Sequence, residues 1–204
     1  MLALPASPSS EKDRNDYQRA LSAAAKVIAE DGHLLLSTEK LSQRSGVPQA
    51  QLVDWFDSPI SIAEVLFINY LNDFSVRLKE LMASVETRKQ LEDSIELLMF
   101  FFAEQTSKDK TRLVLWKNLL DHASLRKLKD SASHIYTRII VERGSEIYPE
   151  LEYDAAYRRT RLIILLISHA VAESGVVESD TNQIVIEEYV QMARLVIADL
   201  LPKS

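Results

Sequence analysis

Apolar positions along the chain recur at spacings of three and four from near its start to near its end. Tyr17, Leu21, Ala24 and Ile28 fall at alternating steps of four and three, which predicts a helix over 14–31 with Gly32 as its stop. Two short patterns follow, 38–45 and 49–55, separated by Gly46-Val47-Pro48. Ser58-Pro59 then reads as an N-cap and first helical residue, opening a long helix over 59–85. Further helices are expected over 89–106, 109–122, 130–147, 153–174 and 181–201, with Pro149 and Gly175 as punctuation. No stretch shows the strict two-residue alternation of a half-buried strand, and no internal repeat is present. The fold class predicted is all-α: three short helices followed by six longer ones.

Composition agrees and narrows the chemistry. The 204 residues include only four glycines and six prolines, 47% apolar and 26% charged residues, a soluble globular balance. With no cysteine there is no disulfide, thiolate nucleophile or cysteine metal site. The first residues lack the basic flank and long apolar run of a secretory signal, and the most apolar window, 162–172, is interrupted by His169 and too short for a membrane span. A cytoplasmic protein with no membrane partner is the expectation. Net charge is −6, the wrong sign for a chain that grips phosphates over its whole surface, so any nucleic-acid contact must be local.

The stretch 32–62 is the most informative. Two short helices around a glycine turn form a helix-turn-helix, whose second helix suits the DNA major groove. Leu41, Val47, Leu52 and Phe56 can face inward, and Ser42 and Ser45 are small where the helices cross. A helix ending in Gly32, the pair Ser37-Thr38, Leu41 with Gly46-Val47, Leu52 with Trp55-Phe56, and a polar cap before a long helix together resemble the TetR family of bacterial regulators. The resemblance covers about residues 14–66. It implies a homodimer with a three-helix DNA-binding head over 13–58 and a six-helix ligand-binding and dimerisation domain over 59–204; the Pro/Ser-rich residues 1–12 before the head are expected to be a disordered arm on composition.

The surface of this head departs from the family's pattern. Where the family has Tyr-x-Tyr-Phe the chain has Val53-Asp54-Trp55-Phe56, and where a lysine commonly opens the fourth helix it has Pro59. Residues 1–60 carry six Lys/Arg against eight Asp/Glu, a net −2, and each missing phosphate contact forfeits counterion release. What remains for double-stranded operator DNA is Gln49 and Gln51, since glutamine can bond adenine in a bidentate manner, with Trp55 on the same helix. Ser37, Thr38, Lys40 and Arg44 are left to hold the backbone. Two readings follow: a ligand-responsive transcriptional regulator, most simply a repressor, or a TetR-like dimer that has lost operator binding and acts through protein partners or as a small-molecule binder.

For the small-molecule effector the candidates are Phe67, Tyr70, Phe74, Phe101, Phe102, Leu115, Trp116, Leu119 and His134. Their aromatic character suits an apolar or amphipathic ligand, although such clusters also make ordinary cores. For the dimer they are Leu162, Leu166, Ala170, Val185, Tyr189, Met192 and Val196, rows at helical spacing on the last two helices. No catalytic constellation, cofactor motif or metal set is expected: Ser168-His169 and Asp121-His122 are sequence neighbours that point apart on a helix, and there is no HExxH or glycine-rich phosphate loop.

Overall fold

Helix α1 (Glu11–Asp31) starts a turn earlier than the apolar periodicity predicts, because its start is polar. The Ser10 hydroxyl accepts from the Asp13 amide at 3.1 Å, and Glu11 and Asp13 place negative charge on the first turn. Gly32 ends it with φ 84°, its N–H donating to the Ile28 carbonyl. In this computed structural model the described residues are 1–3, 8, 10–32, 36–117, 122–174, 187–192 and 195.

The remaining helices are α2 (Thr38–Ser45), α3 (Gln49–Trp55), α4 (Pro59–Ala83), α5 (Arg88–Lys108), α6 (Lys110–Lys117), α7 (Ala123–Ile147) and α8 (Tyr153–Ser174). Residues 187–192 are also helical. Among the described residues there is no strand. The all-α prediction holds, and the boundary displaced furthest is that of α7, which begins at Ala123, seven residues before the predicted start. Its first turns carry Arg126, Lys127 and Lys129 around a single buried Leu125, too sparse a periodicity to mark a helix. The start of α5 is a capping box: Thr87 Oγ1 accepts from the Gln90 amide at 3.3 Å, and Gln90 Oε1 accepts from the Thr87 amide at 3.0 Å.

The chain divides into two compact units. The first comprises Leu2–Asn72 and Asp109–Leu128. Here α1 packs against both α2 and α6, and α2 against α3. Tyr17, Leu21, Val27, Ile28, Leu41, Val47, Leu52, Phe56, Ile62 and Phe67 form its core. The alanines of α1 (Ala20, Ala23 and Ala24, all buried) let neighbouring helices approach closely, and the Thr111 hydroxyl of α6 donates to the Ala25 carbonyl at 2.9 Å. Compactness therefore groups α6 with the first three helices, a partnership between distant segments that no local pattern announces.

Within the arm expected to be disordered over 1–12, Leu2 is held to α4. The Leu2 amide donates to Asn72 Oδ1 at 2.8 Å and Asn72 Nδ2 donates back to the Leu2 carbonyl at 3.0 Å. Residues 11 and 12 already belong to α1. A buried amide side chain satisfied at both ends by one backbone residue offsets the cost of burying it.

The second unit comprises Met1, Asp73–Lys108 and Lys129–Ser204. Helix α5 packs on α8. The Arg143 guanidinium donates twice to the Val85 carbonyl, from Nε at 2.9 Å and Nη2 at 2.7 Å, fixing the α4–α5 turn. Gly144 is buried beside Leu91 and Leu151. Phe74 is surrounded by Phe102, Tyr136 and Phe101, with ring centroids at 5.0, 4.9 and 6.2 Å.

Candidate nucleic-acid interface

The helix-turn-helix is held by the residues whose spacing predicted it. Leu41, Val47, Leu52 and Phe56 are all buried. Gly46 adopts the left-handed conformation, φ 70°, and closes α2 with its N–H on the Ser42 carbonyl. The Ser45 hydroxyl donates to the Leu41 carbonyl at 2.6 Å and accepts from the Val47 amide at 3.2 Å, which locks the turn. The Ser37 hydroxyl caps α2 by accepting from the Lys40 amide at 3.2 Å, with Thr38 as the first helical residue. At the next junction Ser61 supplies the reciprocal cap, accepting from the Ser58 amide at 3.1 Å.

The orientation of α3 follows from its aromatic end. Tyr17 stacks on Phe56 at 5.0 Å and meets Trp55 edge-on at 5.5 Å, and burial pushes its phenol above the ordinary tyrosine value. Trp55 thus turns toward α1 and is half-buried. Gln51 turns the same way: its Nε2 donates to Asp13 Oδ1 at 3.0 Å. The outward face of α3 is left to Gln49, Ala50, Val53 and Asp54, all exposed. Val53 lies one turn from both Gln49 and Ala50, at spacings of four and three, so it sits between them around the exposed side of the helix.

The cations of α2 are engaged. Lys40 Nζ lies 2.7 Å from Asp31 Oδ2, and Arg44 pairs with Glu30 and, at 3.8 Å, with Asp31. The hydrogen bond from Lys40 holds the Asp31 carboxyl below the usual aspartate range, and Glu30 raises Arg44 above its ordinary value. Arg19 pairs with Asp16 at 2.7 Å. Glu30 and Asp31 end a helix whose C-terminal dipole disfavours negative charge, so a cation from α2 relieves them. Of the residues predicted for DNA, the structure presents Gln49 outward, gives Ser37 a capping role, pairs Lys40 and Arg44 with carboxylates, and turns Gln51 and Trp55 toward α1.

The residues predicted for an effector fall in both units. In the first, Phe67 meets Trp116 at 5.4 Å, and both are buried with Leu115 as core. Tyr70 lies under the Arg112 guanidinium at 4.5 Å, and burial, followed by the Asp109 carboxylate, pushes its phenol up to about 12. In the second, Phe74, Phe101 and Phe102 form the aromatic cluster described above, whereas His134 Nδ1 is hydrogen-bonded to the Tyr157 hydroxyl. Leu119 lies outside the described residues.

For the dimer surface, α8 has two apolar faces. Ala156, Thr160, Ile163, Ile164 and Ser168 are buried, while Leu162 and Leu165 are exposed and Leu166 is half-exposed. Ala170 lies further along this helix. Tyr189 is half-buried and Met192 exposed; Val185 and Val196 lie outside the described residues. Among the described residues no helix is long and apolar enough to cross a membrane, and no group of His, Asp and Glu is placed to hold a metal ion.

No protein-family model matches the sequence, and no curated protein matches it. Solved structures do match by fold. The fatty acid degradation regulator FadR from Bacillus halodurans is 17% identical, with TM-score 0.69 over 96% of this chain and 100% of that one. FadR from Bacillus subtilis in complex with stearoyl-CoA is 19% identical, with TM-score 0.60 over 90% and 97%. FadR from Thermus thermophilus, a TetR-family transcriptional repressor in complex with lauroyl-CoA, is 15% identical, with TM-score 0.65 over 92% and 96%. The fold is therefore that of TetR-family transcriptional regulators, as the motif over 14–66 implies.

Proposed function

We propose that this chain, folded as TetR-family regulators are, is a dimeric cytoplasmic transcriptional regulator that represses by binding double-stranded operator DNA and is modulated by a small apolar or amphipathic effector. The observation that carries the reading is the outward face of α3. It is solvent-exposed, carries no intramolecular role for Gln49, Val53 or Asp54 in the core, and belongs to a helix-turn-helix whose apolar skeleton is complete. The functional division is placed at residue 58, with 13–58 as the DNA-binding head and 59–204 as the effector and dimerisation part.

Backbone contact is the task of Ser37, Thr38, Lys40 and Arg44 on α2. The two cations reach phosphate by exchanging Glu30 and Asp31 for phosphate oxygens. Exposed ion pairs of this kind contribute little to stability, so the exchange is feasible. Two recognition helices must lie about 34–36 Å apart, one DNA turn, which a dimer provides. The exposed leucines of α8, Leu162 and Leu165, with Leu166 beside them, are the surface assigned to that dimer.

The effector site is assigned to the aromatic cluster of Phe74, Phe101 and Phe102. Two proteins of the same fold bind stearoyl-CoA and lauroyl-CoA, which supports an amphipathic effector with a long aliphatic chain. Helix α4 carries Phe74 toward its C-terminal end and begins at Pro59 next to the head, so an effector that prefers one position of α4 shifts the population that binds DNA. The fold neighbours are regulators rather than enzymes, in keeping with a chain that binds and does not catalyse.

Fluorescence anisotropy of the full-length protein against duplexes from its own upstream region, at low and moderate salt, tests the reading. A specific complex that an acyl-CoA of suitable chain length dissolves is the expected result. If no duplex is bound in preference to random sequence even at low salt, with or without acyl-CoA, the head does not read DNA and the reading fails.

A further inference from the structure

The four residues that α3 turns outward have a definite chemistry. Gln49 offers an amide with two N–H donors and a carbonyl acceptor, Ala50 a methyl group, Val53 a branched aliphatic tip, and Asp54 an acceptor. Val53 is 59% exposed, while Leu52 beside it in sequence is fully buried, so Val53 contributes nothing to the core of its unit. β-Branched residues also lose side-chain freedom in a helix, so local helix propensity does not favour valine here. Residues 49–55 contain no lysine or arginine, the side chains that most often read guanine through its O6 and N7 acceptors. Gln51, the second glutamine of the helix, is bonded to Asp13.

We infer that the outward face of α3 reads A·T base pairs, Gln49 bonding adenine and Val53 with Ala50 packing on the thymine methyl group. This rests on the proposed regulator reading and specifies what the head reads. In the major groove only thymine carries a methyl, and adenine alone presents N7 as acceptor beside N6 as donor, the pattern a glutamine amide complements. Gln49 and Val53 are one turn apart, and Ala50 is three residues before Val53 and flanks it on the other side, so the amide and the methyl contacts fall on neighbouring base pairs. Asp54, at the far end of the face, repels the guanine acceptors and leaves G·C pairs there to be read, if at all, from the cytosine amino group. The face thus reads methyl groups where many recognition helices read guanine.

Full-length protein is used to enrich duplexes from a randomised pool, and the winning duplex is then remade with single dT→dU substitutions, which remove one methyl and keep every hydrogen bond. For the wild type, one or two such positions in each half-site are expected to weaken binding about fourfold each, the effect of one buried methyl. Val53→Ala is expected to bind the thymine duplex more weakly and to lose the difference between thymine and uracil at one position. Val53→Thr, which keeps one methyl, is expected to retain part of it. Gln49→Ala is expected to relax the preference for adenine without altering the uracil effect. A specific complex indifferent to uracil throughout, or one whose uracil effect survives Val53→Ala undiminished, overturns the inference and leaves the regulator reading standing. A pool that yields no enriched duplex overturns both. Circular dichroism of the variants confirms folding, which substitution at an exposed site leaves intact.

Discussion

The ammonium of Lys40 lies 2.7 Å from the Asp31 carboxylate, so a cation of the helix-turn-helix is held by the last turn of the helix before it. Arg44 is held in the same way by Glu30, and the two pairs together draw positive charge away from a head that has little.

Neutralising the carboxylates releases that charge. The double variant Glu30→Gln/Asp31→Asn is expected to bind duplex DNA more tightly than the wild type. Its logarithmic salt dependence is expected to steepen by about 0.9 for each cation that gains a phosphate. Anisotropy titrations at four salt concentrations measure both quantities; an unchanged slope would mean that Lys40 and Arg44 stand away from the DNA.

The same pairing has an acid signature. Lys40 lowers the folded-state pKa of Asp31, so the contribution is present above the ordinary aspartate value and is lost as pH falls through the lower, folded one. Between pH 5 and about pH 2 the wild type is expected to lose more stability than Asp31→Asn, which lacks the titrating group. The difference is small because the pair is exposed. Thermal midpoints across that range decide it, and parallel curves would show that the pairing does not stabilise the fold.

Tyr70 behaves in the opposite sense. Its phenol is pushed up to about 12, chiefly by burial, so its contribution is complete below the ordinary tyrosine value and is lost between about pH 10 and 12. Absorbance titration at alkaline pH should show a late-ionising tyrosine that Tyr70→Phe removes. Should the variant titrate like the wild type, the phenol is not buried as described.

Two glycines are expected to respond oppositely to alanine. At Gly46 a Cβ would meet open space, but φ is 70°, so Gly46→Ala costs about 1 kcal/mol in backbone strain alone. Gly144 is helical, and a Cβ would make ordinary contact with Leu151 and Leu91 at 3.4 and 3.8 Å. Gly144→Ala is therefore expected to stabilise by about 0.5 kcal/mol. Urea unfolding of the two variants checks the signs.

A charge on the outer face of α8 should separate the dimer. Leu162→Glu and Leu166→Glu are each expected to sediment as monomers while keeping their helical circular dichroism. Dimers that persist in both variants would place the interface on another surface.

The features legible in the order of residues are local ones. Helix positions came from apolar spacing within one turn or two, the α2–α3 turn from Gly46, and the start of α4 from Ser58-Pro59, because these depend on neighbours within about four residues. That is also why the apolar skeleton of the head, Leu41, Val47, Leu52 and Phe56, was legible. The exposed chemistry was not. Gln49 and Gln51 look alike as letters two residues apart, yet a rotation of 200° along the helix sets one outward and the other against Asp13, 38 residues away. Lys40 and Arg44 read as free cations until the fold brings Glu30 and Asp31 beside them. Which side chains are left for a partner follows from the fold, because pairing between distant segments depends on how helices pack and not on the order of residues within them.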